Sequence, residues 1–242
     1  MQVFLRNAVV AATLPATLAV AVAAAAASAA TTPSVTVTPF ERGAFDAAVG
    51  ALHRAVVEDF ESTIPGEMLD GLATAVGIFD TLGETGSGGT VSGTPDNTGR
   101  GVFVRNSSVF GRTNTTAGGD SYLDSNDTFG IGWAISGLGM FDRLFFTLSD
   151  VADNGAQFGF LANGTPVGPT ISGRRNGTID MVMLSFAKPV TSLTLELRNK
   201  RNDGFSIDDA AIGLSAPVPL PPAAALLAGG IAALALFRRR FV

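Results

Sequence analysis

The chain has 242 residues, no cysteine and one histidine, and its 21 acidic and 16 basic side chains give a formal net charge of −5. Without cysteine it has neither disulfides nor thiolate chemistry. All the acidic residues lie between Glu41 and Asp209, whereas Arg6 and residues 238–240 place four basic ones near the ends. The middle therefore has 12 basic against 21 acidic residues, a net charge of −9, which argues against nucleic acid or anionic membrane as a ligand.

Residues 1–30 have the layout of a secretory signal peptide. Arg6 precedes an apolar run of Ala, Val and Leu, and the small residues Ala27-Ser28-Ala29 follow it. This order is typical of a segment that is removed, here near residue 29 or 30. Pro15 makes the run a poor permanent anchor, so removal is favoured. We therefore expect an exported protein, with residues 31–38 as a short lead.

Residues 39–52 are predicted to form one amphipathic helix. Thr38 can cap it, Pro39 suits its first position, and Glu41 can close a capping box. Apolar residues then recur at helical spacing, namely Phe40, Ala44, Phe45, Ala48, Val49 and Leu52.

From Ala55 onward the pattern predicts strands. After a first strand that ends in Glu58-Asp59-Phe60-Glu61, they are expected at 75–82, 101–105, 107–111, 131–136, 143–149, 157–162, 178–186, 192–198 and 205–213. Asn163-Gly164 and Asn176-Gly177 predict hairpins with type I′ turns. Residues 193–198 alternate between apolar and polar, whereas 179–186 are apolar on both faces and suit a central strand. Residues 39–215 are thus expected to be an all-β sandwich domain with one N-terminal helix.

The pair Asp208-Asp209 marks a change of phase in the last strand. Phe205 and Ile207 share a face with Asp209, whereas Ile212 continues in the opposite phase, which predicts a bulge or a strand end. A carboxylate on the buried side needs a counter-charge, and Ca²⁺ would supply one. The expected calcium ligands are Glu58, Asp59, Glu61, Asp208 and Asp209. The alternative is a solvated strand end whose Asp caps a turn.

Two further groups could hold a metal, but Asx turns are favoured for them because neither has EF-hand spacing. They are Asp124, Asn126 and Asp127, and Asp150, Asp153 and Asn154. Tyr122, Trp133 and Phe129 are candidates for an aromatic platform that binds a sugar ring. For Trp133, core packing is favoured, because Ile131 and Ile135 flank it at period two.

Motifs for catalysis are lacking in this sequence. The chain has no G-x-S-x-G, no H-E-x-x-H, no Walker A lysine and no dinucleotide-binding fingerprint. His53 is placed at the end of the predicted helix, where a surface or core role is favoured. Paired carboxylates for glycoside hydrolysis stay open, because any two of the acidic residues could meet in space.

Residues 216–242 contain three parts in order. Prolines at 217, 219, 221 and 222 form a rigid spacer. The uncharged run 223–237 would span about 22 Å as a transmembrane helix, short for a bilayer core of about 30 Å. The arginines that follow favour the cytoplasmic side.

These three parts resemble the VPLPA variant of the PEP-CTERM sorting signal of Gram-negative bacteria. The residues that carry the resemblance are Val218, Pro219, Leu220, Pro221, Arg238, Arg239 and Arg240. It implies export, transient retention in the inner membrane, and cleavage near the prolines by an exosortase. Pro222 stands where that signal commonly has Ala, which leaves the cleavage position open.

The middle of the chain carries a second resemblance. Its segments EDFES, GDSYLDSNDT, LSDVADNGAQ and DGFSIDDAAIG resemble the uncharacterised β-sandwich domain often found ahead of this signal. They are also similar to galactose-binding-like jelly rolls and carbohydrate-binding modules. That resemblance implies a structural Ca²⁺ between the first and last strands.

Together these features predict a non-enzymatic β-sandwich, sorted to the cell surface or extracellular matrix, that binds glycan or serves as matrix or biofilm material. The expected partners are an exosortase, the inner membrane transiently, and extracellular polysaccharide. No cofactor other than Ca²⁺ is expected. The alternative is a secreted, carboxylate-dependent hydrolase that acts on polysaccharide.

Overall fold

The structure, a computed structural model, describes residues 32–83, 101–126, 128–153, 155–199 and 203–216. The predicted signal peptide and sorting signal, including the apolar run 223–237, lie outside these residues. Within the described ranges, no helix is long and apolar enough to cross a membrane.

The described residues form one helix and twelve strands. In chain order these are β1 (Ser34–Pro39), α1 (Arg42–Gly50), β2 (Leu52–Glu58), β3 (Gly66–Met68), β4 (Leu72–Thr74), β5 (Gly77–Thr81), β6 (Val102–Arg105), β7 (Tyr122–Asp124), β8 (Gly130–Ser149), β9 (Gln157–Ala162), β10 (Thr165–Ser172), β11 (Ile179–Asn199) and β12 (Ser206–Ser215). The prediction of an all-β domain is confirmed.

Two long strands, β8 and β11, form the frame of the fold. They pair antiparallel along most of their length, and the register shifts twice between Ser185 and Ser192. On β8 this region contains Gly137 and Gly139, with φ angles of 78° and 84°. The sequence pattern predicts four separate strands here, at 131–136, 143–149, 178–186 and 192–198. In the structure the first two are the halves of the continuous strand β8, and the last two lie in the continuous strand β11.

The strand β8 bends back so that its two halves face each other. Trp133 and Phe146 are thirteen residues apart in this strand, yet their ring centroids are 5.9 Å apart. A straight strand would separate them by about 43 Å at roughly 3.3 Å per residue. The halves of β8 therefore belong to two packed layers, which is the architecture of a sandwich.

Each layer is built around one half of β8. In the first layer the second half of β8 lies between β11 and β12; β1 extends the β11 side, and β2, β7, β6 and β3 extend the β12 side. In the second layer the first half of β8 lies between β5 and β11, followed by β9 and β10, and β4 pairs with β5.

Aromatic rings fill the space between the layers. Trp133 packs against Phe79 at 4.6 Å and donates its Nε1–H to the carbonyl of Val76 at 3.0 Å. Phe158 of β9 contacts Phe205, beside β12, at 4.9 Å. The core position favoured for Trp133 is confirmed. The alternation predicted for 193–198 is also confirmed, because its leucines are buried and its polar residues are not.

The helix begins later than the sequence predicts, and the predicted capping box is wrong. Thr38 and Pro39 belong to β1, paired with Met181 and Asp180, so residues 34–38 of the expected lead are a strand. Glu41 is the N-cap residue but makes no side-chain capping bond. The edge of β11 offers Thr38 and Pro39 backbone partners, and this tertiary pairing overrides the local helix signal.

Helix α1 covers the outer face of the first layer. Phe45 is buried against Phe145 and Ala211, with Met181 and Met183 beside them. These methionines alternate with inward-facing β11 side chains of the main core. The helix therefore explains why the 179–186 stretch is apolar on both faces, and the predicted central position of that strand is confirmed.

One of the two predicted hairpin turns is correct. Asn163 and Gly164 join β9 to β10 with φ angles of 49° and 76°, as a type I′ turn requires. At Asn176-Gly177 only the glycine has a positive φ, and β11 does not pair with β10. That hairpin is wrong, as is the strand at 107–111, where Val109 forms only an isolated bridge with Arg112.

Strand β10 lies at one end of the sheet order. It contains Pro166 and Pro169, and its register with β9 shifts between Val167 and Ile171. Gly168, at the shift, has a φ of 67°. This edge strand is therefore irregular.

Gly77, at the start of β5, is expected to tolerate no side chain. Its φ is 127°, and a Cβ there would lie 2.4 Å from the carbonyl oxygen of Ala134 on β8. We expect Gly77→Ala to lower the free energy of unfolding by about 2 kcal/mol, because backbone strain adds to the clash. Urea unfolding measures this. The control is Gly43→Ala in α1, where no atom lies within 4 Å; equal effects of the two substitutions would contradict the prediction.

Candidate functional site

The two aspartates of β12 lie at a bulge, as predicted. The pairing of β12 with β8 shifts register between Asp208 and Ala211, and Asp209 has a φ of 50°. The strand continues to Ser215. Both aspartates are buried, so of the two predicted outcomes the bulge is confirmed and the strand end is wrong.

Hydrogen bonds already engage both carboxylates of this bulge. Asp208 accepts from the backbone N–H of Thr115 at 2.7 Å, of Thr116 at 3.1 Å and of Asp209 at 2.8 Å. Asp209 accepts from the Thr115 and Thr116 hydroxyls at 2.7 and 2.9 Å and forms a salt bridge with Arg42 of α1. The bulge therefore fastens the loop before β7 and the helix to the first layer, and Arg42 supplies a counter-charge.

The other three predicted calcium ligands have backbone partners of their own. Glu58 accepts from the N–H of Phe60 at 2.9 Å and of Ala75 at 3.1 Å. Asp59 accepts from the N–H of Glu61 at 3.1 Å, and Glu61 from that of Ser121 at 2.9 Å. Across the described ranges no three acidic or histidine side chains lie close enough to hold a metal ion. Calcium at Glu58, Asp59, Glu61, Asp208 and Asp209 stays a prediction.

Asp124, from the first of the further metal candidates, has cationic partners instead. It forms buried salt bridges with Arg105 and with Arg112, the latter at 2.7 Å. Its Oδ1 also accepts from the backbone N–H of Asn126 at 2.8 Å, which is the Asx turn that was favoured. Asp127 and Asn154 lie outside the described residues.

The proposed sugar platform is corrected for two of its three rings. Tyr122 and Trp133 are fully buried, and the Tyr122 hydroxyl donates to the carbonyl of Ser107 at 2.8 Å. Neither ring can present a face to a sugar, because the core needs both. Phe129 is 44 % exposed. His53 is exposed in β2 and does not lie at the end of the helix.

Phe129 borders a cavity of about 580 Å³ beside β9 and β10. The cavity is mainly apolar, with Thr170, Arg198 and Asn199 as its polar side chains, and none of its described lining residues is acidic or a histidine. The lining residues are Leu82, Phe129, Phe158, Gly159, Phe160, Leu161, Pro166, Val167, Gly168, Pro169, Thr170, Arg198 and Asn199. A concave apolar site with few polar groups is typical of small-ligand binding.

The position of the Phe129 ring is fixed on two sides. Its carbonyl accepts from the backbone N–H of Asn199 at 3.3 Å, and the preceding Thr128 donates its hydroxyl to the carbonyl of Ser125 at 2.7 Å. The ring also packs so closely on Gly83 that a Cβ there would lie 2.3 Å from it. Phe129 is therefore a pre-formed element of the cavity.

Arg198 brings a positive charge to the cavity. Its Nε donates to the Glu196 carboxylate at 2.6 Å, and 55 % of its side chain is exposed. Glu196 orients the guanidinium, which keeps donors free in its exposed part because an arginine side chain has five N–H groups.

Asp203 lies next to Asn199, a lining residue of the cavity, and interacts with two other carboxyl groups. Asp203 is hydrogen-bonded to Asp153 and Asn199, and Asp150 lies close enough to affect it electrostatically. Burial, followed by the contact with Asp153, raises the pKa of Asp203 to about 7, and burial raises that of Asp150 to about 6. No local pattern in the sequence predicts this contact, because Asp153 and Asp203 are fifty positions apart.

No protein-family model matches the chain, and no curated protein matches it. Among solved structures it is similar to the CBM22-1 xylan-binding domain from Paenibacillus barcinonensis Xyn10C, with 14% identity, 67% of this chain and 95% of that chain covered, and a TM-score of 0.34. The chain is also similar to the N-terminal CBM22-1-CBM22-2 tandem domain of the same protein. The sequence identity is 15%, the coverage is 81% of this chain and 50% of that chain, and the TM-score is 0.33.

A third similar structure is the catalytic unit of the GH87 alpha-1,3-glucanase from Streptomyces thermodiastaticus strain HF3-3. Its identity is 15%, the coverage is 69% of this chain and 28% of that chain, and the TM-score is 0.32.

The buried Asp208 makes stability depend on pH. Burial, followed by the charge of Asp209, raises its pKa to about 7, whereas an unfolded aspartate titrates near about 4. Between these values the folded protein holds a proton that the unfolded chain releases. The free energy of unfolding contributed by this group should therefore fall as the pH rises through this window, by up to about 1.4 kcal/mol per pH unit.

Urea unfolding at several pH values across this window checks the prediction. In Asp208→Asn the component is absent, so the pH dependence of the free energy of unfolding becomes shallower than in the wild type. Asp46→Asn, which removes one exposed carboxylate of α1, is the control. An unchanged slope in Asp208→Asn would contradict the prediction.

Proposed function

We propose that this is an exported, non-enzymatic β-sandwich that binds extracellular polysaccharide through the cavity beside β9 and β10. The observation that carries the proposal is the exposed, fixed ring of Phe129 at a concave site that also holds Arg198 and Asn199. A sugar ring has an apolar C–H face, which stacks on an aromatic ring, and hydroxyl groups, which need polar partners. The cavity offers both kinds of contact.

The chemistry of the lining favours binding over hydrolysis. Glycoside hydrolysis needs two carboxyl groups on either side of the scissile bond, about 5 to 10 Å apart. The described lining residues include no carboxylate or histidine, and the pair Asp153 and Asp203 is not part of the lining. Thr170, Arg198 and Asn199 can hold and orient a ligand, but they cannot protonate a leaving group at neutral pH.

The two predicted targeting signals support a role outside the cell. A signal peptide at 1–30 and a VPLPA-type sorting signal at 216–242 would deliver the domain to the surface or the extracellular matrix after exosortase processing. The net charge of −9 between these segments suits a hydrated matrix and a ligand that is not strongly anionic. Binding and matrix function are therefore compatible in one protein.

Replacing Phe129 should weaken polysaccharide binding. We expect Phe129→Ala to lower the affinity at least about tenfold, or about 1.4 kcal/mol, because the stacking surface is lost. Affinity electrophoresis against a panel of soluble xylan, β-glucan, α-glucan and alginate, followed by calorimetry on the tightest binder, measures this. The control is Phe110→Ala, since Phe110 is also 44 % exposed but does not line the cavity.

Equal affinities of the two variants would refute the cavity as the binding site. A reducing-sugar assay on the same panel tests the hydrolase alternative. Turnover by the wild type that is lost in Asp153→Asn, with folding retained, would replace the binding function by an enzymatic one.

Processing of both ends is expected in cells. Mass spectrometry of the mature protein should show an N-terminus near residue 30 and a C-terminus near the prolines, without Arg238, Arg239 and Arg240. Recovery of the intact chain of 242 residues from the cytosol would contradict both the signal peptide and the sorting signal.

A further inference from the structure

Two buried oxygen atoms beside the cavity have no hydrogen-bond donor among the residues that the structure describes. They are Oδ2 of Asp203 and Oδ1 of Asn199, in side chains whose residues are 4 % and 6 % exposed. The Asn199 amide nitrogen donates to the backbone carbonyl of Asp203, so the two residues are in direct contact. A buried acceptor without a donor is costly, and such atoms are rare unless a ligand, ion or water satisfies them.

Within the described ranges, no basic side chain balances the negative charge at this place. Asp203 contacts the side chain of Asp153, with Asp150 nearby, and no basic side chain of the described residues forms a salt bridge with Asp153 or Asp203. Arg174 comes from the adjacent turn, where its backbone N–H donates to the carbonyl of Ala152 at 3.1 Å, but its guanidinium lies 3.1 Å from Asp180. Like charges in contact at a buried site require a shared proton or a bound cation.

We propose that Asp153, Asp203 and Asn199 form a calcium-binding site. Calcium takes six to eight oxygen ligands in flexible geometry, including carboxylates, amide carbonyls, backbone carbonyls and water. Two carboxylates and one amide oxygen supply part of this set, and backbone and water oxygens complete it. The orphaned oxygens of Asp203 and Asn199 gain a partner, and the charge of the carboxylates is balanced.

This site differs from the one that the sequence predicts at the ends of β2 and β12. There both oxygens of Glu58 and both oxygens of Asp208 already accept backbone N–H groups. A carboxylate in that state needs no cation to satisfy its oxygens, whereas Oδ2 of Asp203 has no donor among the described residues. The structure thus favours a different aspartate, Asp203, which is the first residue of the segment DGFSIDD, whereas Asp208 and Asp209 are its last two.

Calcium at this site would also order the cavity. Asn199 lines the cavity, and its backbone N–H holds the carbonyl of Phe129. A cation that fixes the Asn199 side chain therefore fixes the residue that positions the aromatic ring. This consequence rests on the proposed function, whereas the metal site itself does not.

Calorimetry of the metal-free full chain with calcium chloride at about pH 7.5 tests the site, where buried carboxylates of this kind are ionised enough to compete for the ion. We expect one bound ion per chain. Asp203→Asn should weaken binding at least about tenfold, and so should Asp153→Asn, because each removes one ligand charge. Saturating calcium should raise the Tm of the wild type by about 5 °C and leave that of Asp203→Asn nearly unchanged.

Asp208→Asn is the matched variant, an aspartate of the same strand region in the site predicted from sequence. Calcium binding that survives in Asp208→Asn and is lost in Asp203→Asn supports the proposal. The reverse pattern overturns it in favour of the bulge, and no calcium uptake by the wild type overturns it in favour of a shared proton. Circular dichroism confirms folding, and Asp153→Asn decides the matter if Asp203→Asn does not fold.

Polysaccharide binding measured with calcium and with chelator separates the two proposals. Calcium uptake without any polysaccharide binding leaves the metal site standing and removes the proposed function. Polysaccharide binding with no calcium uptake does the opposite.

Discussion

The rest of the structure depends on the pairing of two strands that both change layer. β8 and β11 stay hydrogen-bonded to each other on either side of the region between Ser185 and Ser192, where their register shifts. Because each strand contributes to both layers, the two sheets are covalently continuous through this region and share one pair of strands. The aromatic contact between Trp133 and Phe146 closes the angle between the halves. Every other element attaches to one half or the other, including the helix, which needs the outer face of the first layer to bury Phe45.

The parts of the fold that depend on local patterns could be predicted from the sequence. Alternation at 193–198, the Asn163-Gly164 turn and the phase change at Asp208-Asp209 are all properties of a few neighbouring residues, and the structure agrees with them. The prediction from sequence was wrong where a distant pairing partner overrides a local signal. Thr38 and Pro39 have the chemistry of a helix start but pair with β11 instead. Gly137 and Pro189 have the chemistry of turns but lie within strands that bend.

The candidate site follows the same division. Phe129 was among the aromatic candidates, but only burial could separate it from Tyr122 and Trp133. The residues that surround it come from β9, β10, β11 and the segment after β5. No spacing in the sequence predicts that these four segments meet at one cavity. The contact of Asp153 with Asp203 likewise joins the loop after β8 to the segment that precedes β12. Sequence reasoning found acidic segments, and tertiary structure decides which acids lack partners.

The irregular edge strand β10 affects how copies of this domain can meet at high concentration. An unpaired strand edge can recruit the same edge of another molecule and start a growing stack of sheets. Pro166 and Pro169 each remove a backbone donor, and the register break after Val167 distorts the line of those that remain. This edge of the domain is therefore a poor template for strand addition, and crowded copies gain no regular sheet contact through it.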